Sequence, residues 1–434
     1  MEAMQKIALA LYRSGWRLAI PLLRRNSRLK DGFTERLLSL SPPKAADVWI
    51  QAASAGEAYL ALSLVEEMGG KRNLRFLVTT NTRQGKQILE KEGEKGLDGS
   101  DGRNLRTAFF PFDHPLLMDA AVRAIDPRAV VLLETELWPG LLSALKSRGC
   151  PVIMVNARMT QKSFRRYRLL GRMWQDLSPE RILAVSQADA KRYEKLFASN
   201  AVSVMPNIKF DRIGTGPAQA STIKSASPLL PSPDTPFLVL GSVRQEEEAD
   251  VEKMLRELLN RLPGLVIGLF PRHMHRLSAW RDRLGQADVR GRRLSWHFRS
   301  DLPGGRRKPG TVILWDRFGE LAAAYAEADA VFVGGSLAPL GGQNFLEPLM
   351  HGVVPVIGPS WENFSWAGEA LFARGLVRRV KNWQEASEVI HRQIEFPSPR
   401  EAVKTEAADY IRRHQGGTDQ ASRTILSMLD ANPR

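Results

Sequence analysis

Short apolar runs alternate with longer amphipathic ones along most of the chain. Val48–Ala53, Leu74–Thr80, Ala129–Leu133, Val152–Val155 and Ile182–Val185 are compact and mostly apolar. Between them, Ala58–Met68 and Leu137–Ser147 space their apolar positions at helical intervals. This βαβα rhythm predicts a parallel sheet covered on both faces, because strands buried on both sides need no polar alternation. Lys91–Arg103 is a charged run and predicts a solvated loop. Residues 214–236, rich in Ser, Pro, Gly, Ala and Thr, carry a linker signal. The rhythm then restarts: strand Phe237–Gly241, helix Glu246–Leu262, then strands Leu265–Phe270, Val312–Trp315, Ala330–Gly334 and Val354–Ile357. Ser300–Gly310 reads as an exposed basic loop, and helical patterns resume from Glu401 and from Asp419 to the end. The expected organisation is an N-terminal helix over 1–30, a Rossmann-like domain over 31–213, the linker, and a second Rossmann-like domain over 237–434. Two such halves place a ligand in the cleft between them, at the C-terminal ends of the strands.

The segment from Met4 to Arg25 is largely apolar, but Arg13 and Arg17 interrupt it, so no uninterrupted spanning stretch exists. At helical spacing Lys6, Arg13, Arg17 and Arg24 share one stripe; Ile7, Leu11, Leu18 and Leu22 lie elsewhere, and Trp16 on a third side. That suits a helix lying in an anionic membrane interface. It suits equally a surface helix packed on its own domain, kinked or ended at Pro21. Arginines within the apolar region and the lack of a small-residue cleavage site argue against a cleaved signal peptide.

Composition narrows the partners. Lys and Arg outnumber Asp and Glu by 62 to 47 among 434 residues, which favours anionic ones. No helix-turn-helix, RNA-binding aromatic motif or zinc module accompanies the charge, so nucleic acid is the weaker reading. The single cysteine, Cys150, forms no intramolecular disulfide and fits a reducing cytoplasm. The seven histidines are scattered and no Cys/His cluster has zinc spacing.

Candidate chemistry sits where strands end. The first strand runs into Ser54-Ala55-Gly56-Glu57, and a helix follows. Small residues there let a ligand approach the backbone, and Glu57 in the first helical turn is placed to act as a general base. Taken alone, a carboxylate complementing the helix dipole is the more frequent case. Glu134-Thr135-Glu136-Leu137-Trp138-Pro139 closes another strand; two carboxylates there are costly unless exposed or paired. Arg158, after the next strand, is a partner for these acids or for an anionic substrate. Lys209, within Asn207–Asp211, either neutralises an anion or is a solvated surface lysine. Pro271-Arg272-His273 puts a guanidinium at a strand end, for a phosphate or for a rim ion pair. Gly334-Gly335-Ser336 followed by Gly341-Gly342-Gln343-Asn344-Phe345-Leu346-Glu347 reads as a glycine loop opening a helix. It predicts an anion cradle of backbone N–H groups, with Glu347 accepting from ribose hydroxyls.

These pieces, in this order, resemble the Kdo (3-deoxy-D-manno-octulosonic acid) transferases. The matching stretches run from Trp49 to about Phe364. They are Ser54–Glu57, Thr79-Thr80-Asn81-Thr82, Glu134–Pro139, Asn156–Arg158, Asn207–Asp211, Pro271–His273, Phe318-Gly319-Glu320, Gly334–Ser336 and Gly341–Glu347. The resemblance implies a GT-B fold, two Rossmann-like domains facing each other across a cleft. It implies inverting, metal-independent transfer of Kdo from CMP-Kdo to a hydroxyl of a lipid A precursor in lipopolysaccharide synthesis, with no bound cofactor. Glu57 is then the general base, and Glu136 and Lys209 stabilise the transition state or leaving group. CMP falls on Pro271, Arg272, Phe318, Gly319, Glu320, Asn344, Phe345, Leu346 and Glu347. Ser54, Gly56, Glu134, Arg158, Gly335, Ser336, Gly342 and Gln343 are the further substrate contacts. The expected location is the cytoplasmic face of the inner membrane, peripheral or N-terminally anchored to its anionic surface.

Departures from the family pattern are specific. Gln343, Arg244 and Gln51 stand where histidine is usual, and Phe345 replaces a proline. Glutamine still donates and accepts hydrogen bonds but does not titrate. The competing readings are a GT-B transferase or epimerase acting on another nucleotide sugar, such as a UDP sugar, and a non-catalytic glycolipid-binding protein of the membrane surface.

Overall fold

The computed structural model describes residues 2–26, 29–39, 45–94, 104–213, 235–302 and 308–432. The chain divides into two compact units, one of Met1–Asp211 with His414–Arg434 and one of Arg212–Arg413. The expected linker falls mostly on residues 214–234, outside the described residues, as does the 303–307 part of the expected basic loop.

The first unit is built on β1 (Val48–Ala52), β2 (Phe76–Thr80), β3 (Leu105–Phe109), β4 (Ala129–Leu133), β5 (Val152–Ala157), β6 (Arg181–Ala184) and β7 (Val202–Val204). All pairings are parallel, in the order β3-β2-β1-β4-β5-β6-β7. Every residue of β1, β2, β4 and β5 is buried. Trp49, Val130 and Leu132 enter one apolar layer, and Val48, Ile50 and Val131 the other. Covered faces explain why these strands read as continuous apolar runs. The strand order reverses between β1 and β4, so the switch point lies where Ser54–Glu57 and Glu134–Glu136 emerge. Strands β3 and β7 are absent from the sequence expectation: both are edge strands, and β7 is only partly buried. The charged run starting at Lys91 is helical to Glu94, within a helix over Arg83–Glu94, rather than loop from its start. Residues 95–103 lie outside the described residues.

The second unit holds β8 (Phe237–Val243) and β9 (Val266–Pro271). A small antiparallel pair follows, β10 (Asp288–Val289) with β11 (Arg292–Arg293). The sheet is completed by β12 (Ser295–Phe298), β13 (Thr311–Leu314), β14 (Ala330–Val333), β15 (Pro355–Ile357) and β16 (Arg378–Arg379). It is parallel in the order β12-β13-β9-β8-β14-β15-β16. Its switch point lies between β8 and β14, where Gly241–Arg244 and Gly334–Ser336 leave the sheet. Leu238, Leu240, Ile267, Val312 and Phe332 pack there with the helix Glu248–Arg261.

Two boundaries differ from expectation. The final helix, Gly417–Ala431, belongs to the first unit and not the second. Ala421, Ile425, Leu426 and Leu429 join the layer formed by Leu64, Val65 and Val131. Asp211 fixes the turn into that helix, accepting from Gly416 N, Thr418 N and Thr418 Oγ1, each at 2.7 Å. At the other end the helix Glu2–Leu23 runs through Pro21. Tyr12 donates to Asp113 Oδ2 at 2.8 Å, and Trp16 lies on Phe112 with ring centroids 5.8 Å apart. Leu11, Leu18 and Leu22 stay 66–74% exposed. No helix among the described residues is long and apolar enough to cross a membrane.

Candidate active site

The carboxylates of the first unit converge on its switch point. Ser54 caps the helix Ala55–Gly69: its Oγ accepts from Glu57 N at 3.3 Å. Glu57 answers the cap, accepting from Ala53 N, the amide before the cap residue, at 2.8 Å and from Ser54 Oγ at 3.0 Å. The helix-terminus role is therefore real. Burial, then the nearby charges of Glu136 and Glu134, push the Glu57 carboxyl up to about 7, against the pull of those two hydrogen bonds. A carboxylate poised near neutrality is what proton abstraction at physiological pH requires.

Glu136 accepts from Trp138 Nε1 at 2.7 Å and Gln51 Nε2 at 3.1 Å, both on its Oε2. Burial raises its pKa, the two donors oppose that, and Glu134 adds to the rise. Glu134, at 5% exposure, is paired twice: Arg158 Nη2 and Lys209 Nζ each lie 2.7 Å from one of its oxygens. Its φ of 54° is rare for a residue with a side chain and marks a local constraint at the end of β4. Asn156, also at φ 54°, accepts from Ile208 N at 3.0 Å, and Asn207 accepts from Lys209 N at 2.9 Å. These contacts present Lys209 to Glu134. Arg158 is thus a partner of the acids, and Lys209 is no solvated surface lysine.

In the second unit the glycine loop departs from expectation. The amides of Gly335, Ser336 and Leu337 do not form an open anion cradle. Glu247, buried, accepts from Gly335 N, from Ser336 N and Leu337 N at 3.2 Å each, and from Arg244 N at 2.9 Å. The chain supplies its own anion. Ser336 is likewise internal: its Oγ donates to Val333 O at 2.6 Å and accepts from Gly358 N at 2.8 Å. Gly342 N donates to Gly335 O at 2.8 Å, and both glycines have positive φ. A Cβ on Gly335 would come within 3.0 Å of Gln343 Cγ, so that glutamine lies over the loop.

Phe345 and Leu346 are expected on the nucleotide, yet both side chains are core. Phe345 is fully buried against Trp361, Phe364 and Phe372. The alternation around Leu346–Met350, a helix of five residues, turns Asn344 and Glu347 the other way. Asn344 accepts from Leu346 N at 3.2 Å. Glu347 is half-buried, burial raises its pKa, and no hydrogen bond from the described residues reaches its carboxylate. A desolvated acceptor without a protein donor is an open demand for a ligand's donors. Arg272, at the end of β9, is exposed and has no ion pair among the described residues, which removes the rim-pair alternative. Phe318 is 84% exposed beside Gly319, whose φ is 85°. Glu320 is engaged internally, accepting from Trp315 Nε1 at 2.9 Å and Arg299 Nε at 3.0 Å.

Trp49, Thr79 and Trp138 stand within the span or stretches that carry the resemblance but receive no role from it, and the sequence pattern does not single out Glu247 at all. Glu247 sits in a run of three acids, of which it and Glu248 are buried, and nothing in the pattern separates it from its exposed neighbour Glu246.

Comparison with known proteins identifies the family. A family model described as "3-Deoxy-D-manno-octulosonic-acid transferase (kdotransferase)" matches residues 30–212. The 3-deoxy-D-manno-octulosonic acid transferase of Bordetella pertussis is 31% identical over 401 residues, 89% of this chain and 88% of that one. The enzyme of the same name from Haemophilus influenzae is 28% identical over 400 residues, 91% and 89% of the two chains. Among solved structures, the UDP-GlcNAc 2-epimerase from Neisseria meningitidis superposes with a TM-score of 0.54. It covers 89% of this chain and 100% of its own at 13% identity, which speaks for the shared GT-B fold alone. With its carboxylates gathered at the first switch point and its sequence relatives aligned along nearly the whole length, the chain belongs to the Kdo transferase family of glycosyltransferases.

Proposed function

We propose that the protein transfers Kdo from CMP-Kdo to a hydroxyl of a lipid A precursor, with inversion and without a metal requirement. The observation that carries this reading is the cluster of Glu57, Glu134 and Glu136 at the β1–β4 switch point of a chain 31% identical to a Kdo transferase, with burial and the neighbouring acids raising Glu57 to about 7. Glu57 takes the proton of the acceptor hydroxyl as its oxygen attacks the anomeric carbon. The C–O bond to CMP breaks through an oxocarbenium-like sugar, as in glycosidic chemistry generally. One base and a single displacement give inversion. Glu136, kept an acceptor by Trp138 and Gln51, holds a substrate hydroxyl or balances the developing positive charge on the sugar. Lys209 and Arg158, shared with Glu134, leave one net positive charge beside these acids for the anionic donor.

The second unit holds the nucleotide. Glu347 accepts from the ribose hydroxyls, Arg272 meets the phosphate, and Phe318 offers an exposed ring to the base. Gln343 and Gly342 contact the sugar across a loop fixed by Glu247. The helix Glu2–Leu23 brings the enzyme to the cytoplasmic leaflet: Tyr12 and Trp16 dock it, leaving Leu11, Leu18 and Leu22 for lipid and Arg17 and Arg24 for its headgroups. The test is incubation with CMP-Kdo and a tetraacylated lipid A precursor, read by mass spectrometry. A mass increase of one or more Kdo residues, undiminished by EDTA, is expected. Intact precursor, together with tighter binding of UDP than of CMP, overturns the reading.

A further inference from the structure

The side chains behind Glu136 form a line in which every hydrogen bond has a determined direction. Trp49, Gln51 and Thr79 are all fully buried on the adjacent strands β1 and β2. Trp49 Nε1 lies 2.8 Å from Thr79 Oγ1, Thr79 Oγ1 lies 2.6 Å from Gln51 Oε1, and Gln51 Nε2 lies 3.1 Å from Glu136 Oε2. An indole N–H only donates, so it takes a lone pair of the Thr79 hydroxyl. The hydroxyl must then spend its single proton elsewhere. Of the two acceptors near it, the Gln51 carbonyl at 2.6 Å prevails over Ile50 O at 3.5 Å. With its carbonyl engaged, the Gln51 amide can turn only its NH2 toward Glu136; the second N–H has Asn81 Oδ1 at 3.5 Å. On the far side of Glu136 a second donor-only indole, Trp138, reaches the same oxygen at 2.7 Å.

We propose that Trp49, Thr79 and Gln51 are positioning residues: a one-way hydrogen-bond relay that aims a permanent donor at Glu136 and keeps its carboxylate an acceptor. Without the hydroxyl at Thr79 the amide is free to invert. Its carbonyl would then face Glu136 Oε2, two acceptors in contact, and only a proton on Glu136 would relieve them. The groups acting on Glu136 otherwise are Glu57 from the helix Ala55–Gly69, Glu134 from its own loop with Arg158 and Lys209 attached, and Tyr167 from the helix Gln161–Tyr167. Burial first, and then the acids Glu57 and Glu134, disfavour the ionised form, and the donors from Gln51 and Trp138 oppose them. The effect on turnover rests on the catalytic reading of Glu136 given above; the relay itself does not.

Trp138 supplies a reporter that needs no substrate, since its indole N–H is bonded to the titrating oxygen. In the full-length protein the Trp138 indole 1H–15N signal, assigned by its loss in Trp138→Phe, is followed against pH. Relative to wild type, Thr79→Val should raise the midpoint by about one pH unit, as expected for a buried acid losing an oriented donor. Thr79→Ser, which keeps the hydroxyl, should restore it. Gln51→Met, which removes the donor at similar volume, should raise it as Thr79→Val does and stands in if that variant does not fold. In the transfer assay at pH 7 the same variants should lose about tenfold in kcat with an unchanged donor KM, and Thr79→Ser should recover the loss. A Trp138 midpoint unmoved in Thr79→Val and Gln51→Met overturns the relay. Absence of Kdo transfer by the wild type, with the midpoint moving as stated, overturns the catalytic reading and leaves the relay standing.

Discussion

Glu57 meets two physical demands with one carboxylate. It ties the start of its helix to Ala53 N and Ser54 Oγ, and it is held near neutrality by burial and by two neighbouring acids. A glutamine can accept from Ala53 N through its carbonyl and donate its NH2 to Ser54 Oγ. Glu57→Gln should therefore keep the fold and CMP binding while losing about 10²-fold or more in kcat, measured in the transfer assay beside CMP titration. The pH dependence has a definite sign. A base with a pKa of about 7 is ionised above that value, so kcat/KM should rise with pH and level off past neutrality. Stability runs the other way. The folded-state pKa lies above the ordinary 4.5, so the folded protein favours the protonated form. That contribution is complete below about 4.5 and is lost as pH rises to about 7. Glu57→Gln should accordingly unfold at a higher temperature than wild type at pH 8, with the difference vanishing near pH 4. Glu347 poses the simpler case of an acceptor to which no described residue donates. Removing it in Glu347→Ala should weaken CMP binding by about 1.5–3 kcal/mol by calorimetry, the worth of hydrogen bonds to a charged group. An unchanged Kd places the ribose elsewhere.

At the scale of elements, two segments combine features that sequence reading treats as alternatives. The N-terminal helix packs on its own unit through Tyr12 and Trp16 and still leaves three leucines in solvent. Replacing Leu11, Leu18 and Leu22 together by serine preserves the docked face. The variant should keep CMP affinity and lose sedimentation with anionic vesicles, whereas high salt should weaken wild-type attachment only in part, because salt screens the arginines and not the apolar surface. Equal sedimentation of variant and wild type would mean the leucines are not the anchor. The glycine loop is the second case. It has the composition of an anion-binding turn, and the amides of Gly335, Ser336 and Leu337 are already satisfied by Glu247. In Glu247→Gln an NH2 group must face backbone donors. A loss of about 1–3 kcal/mol in stability is expected from chemical denaturation, with CMP binding weakened as the loop loosens.

At the scale of the molecule, the chain returns to its first unit to finish it. Ile425 of the last helix is fully buried among Leu64, Val65 and Val131, residues far away in sequence. Ile425→Ala should cost about 2–5 kcal/mol, and the loss should register in unfolding of the first unit while CMP binding by the second persists. Asp211, adjacent to the expected linker, anchors that return through three hydrogen bonds. An arrangement of this kind ties distant stretches of the chain into one folding unit. Truncation after the second sheet would strip the first unit of the helix that covers Leu64, Val65 and Val131.

What could be read in the sequence was what repeats along it or stands at a punctuated place. Fully buried parallel strands leave unbroken apolar runs, so Ala129–Leu133 was located to the residue and the α/β character of both halves was plain. Residues at strand ends, such as Glu57, Glu134, Glu136 and Arg158, could be singled out because the chemistry of such positions is shared across α/β folds. Edge strands such as β7 carried no such signal, being half exposed. The pairing of Arg158 and Lys209 with one acid, the occupation of the glycine loop by Glu247, the burial of Phe345, the direction of the Trp49–Thr79–Gln51 line and the destination of the last helix were decided only by tertiary structure. Each depends on a partner dozens to hundreds of residues away or on which side of a short helix a side chain falls. Local pattern encodes neither, because hydrogen-bond direction and desolvation are properties of groups brought together in space.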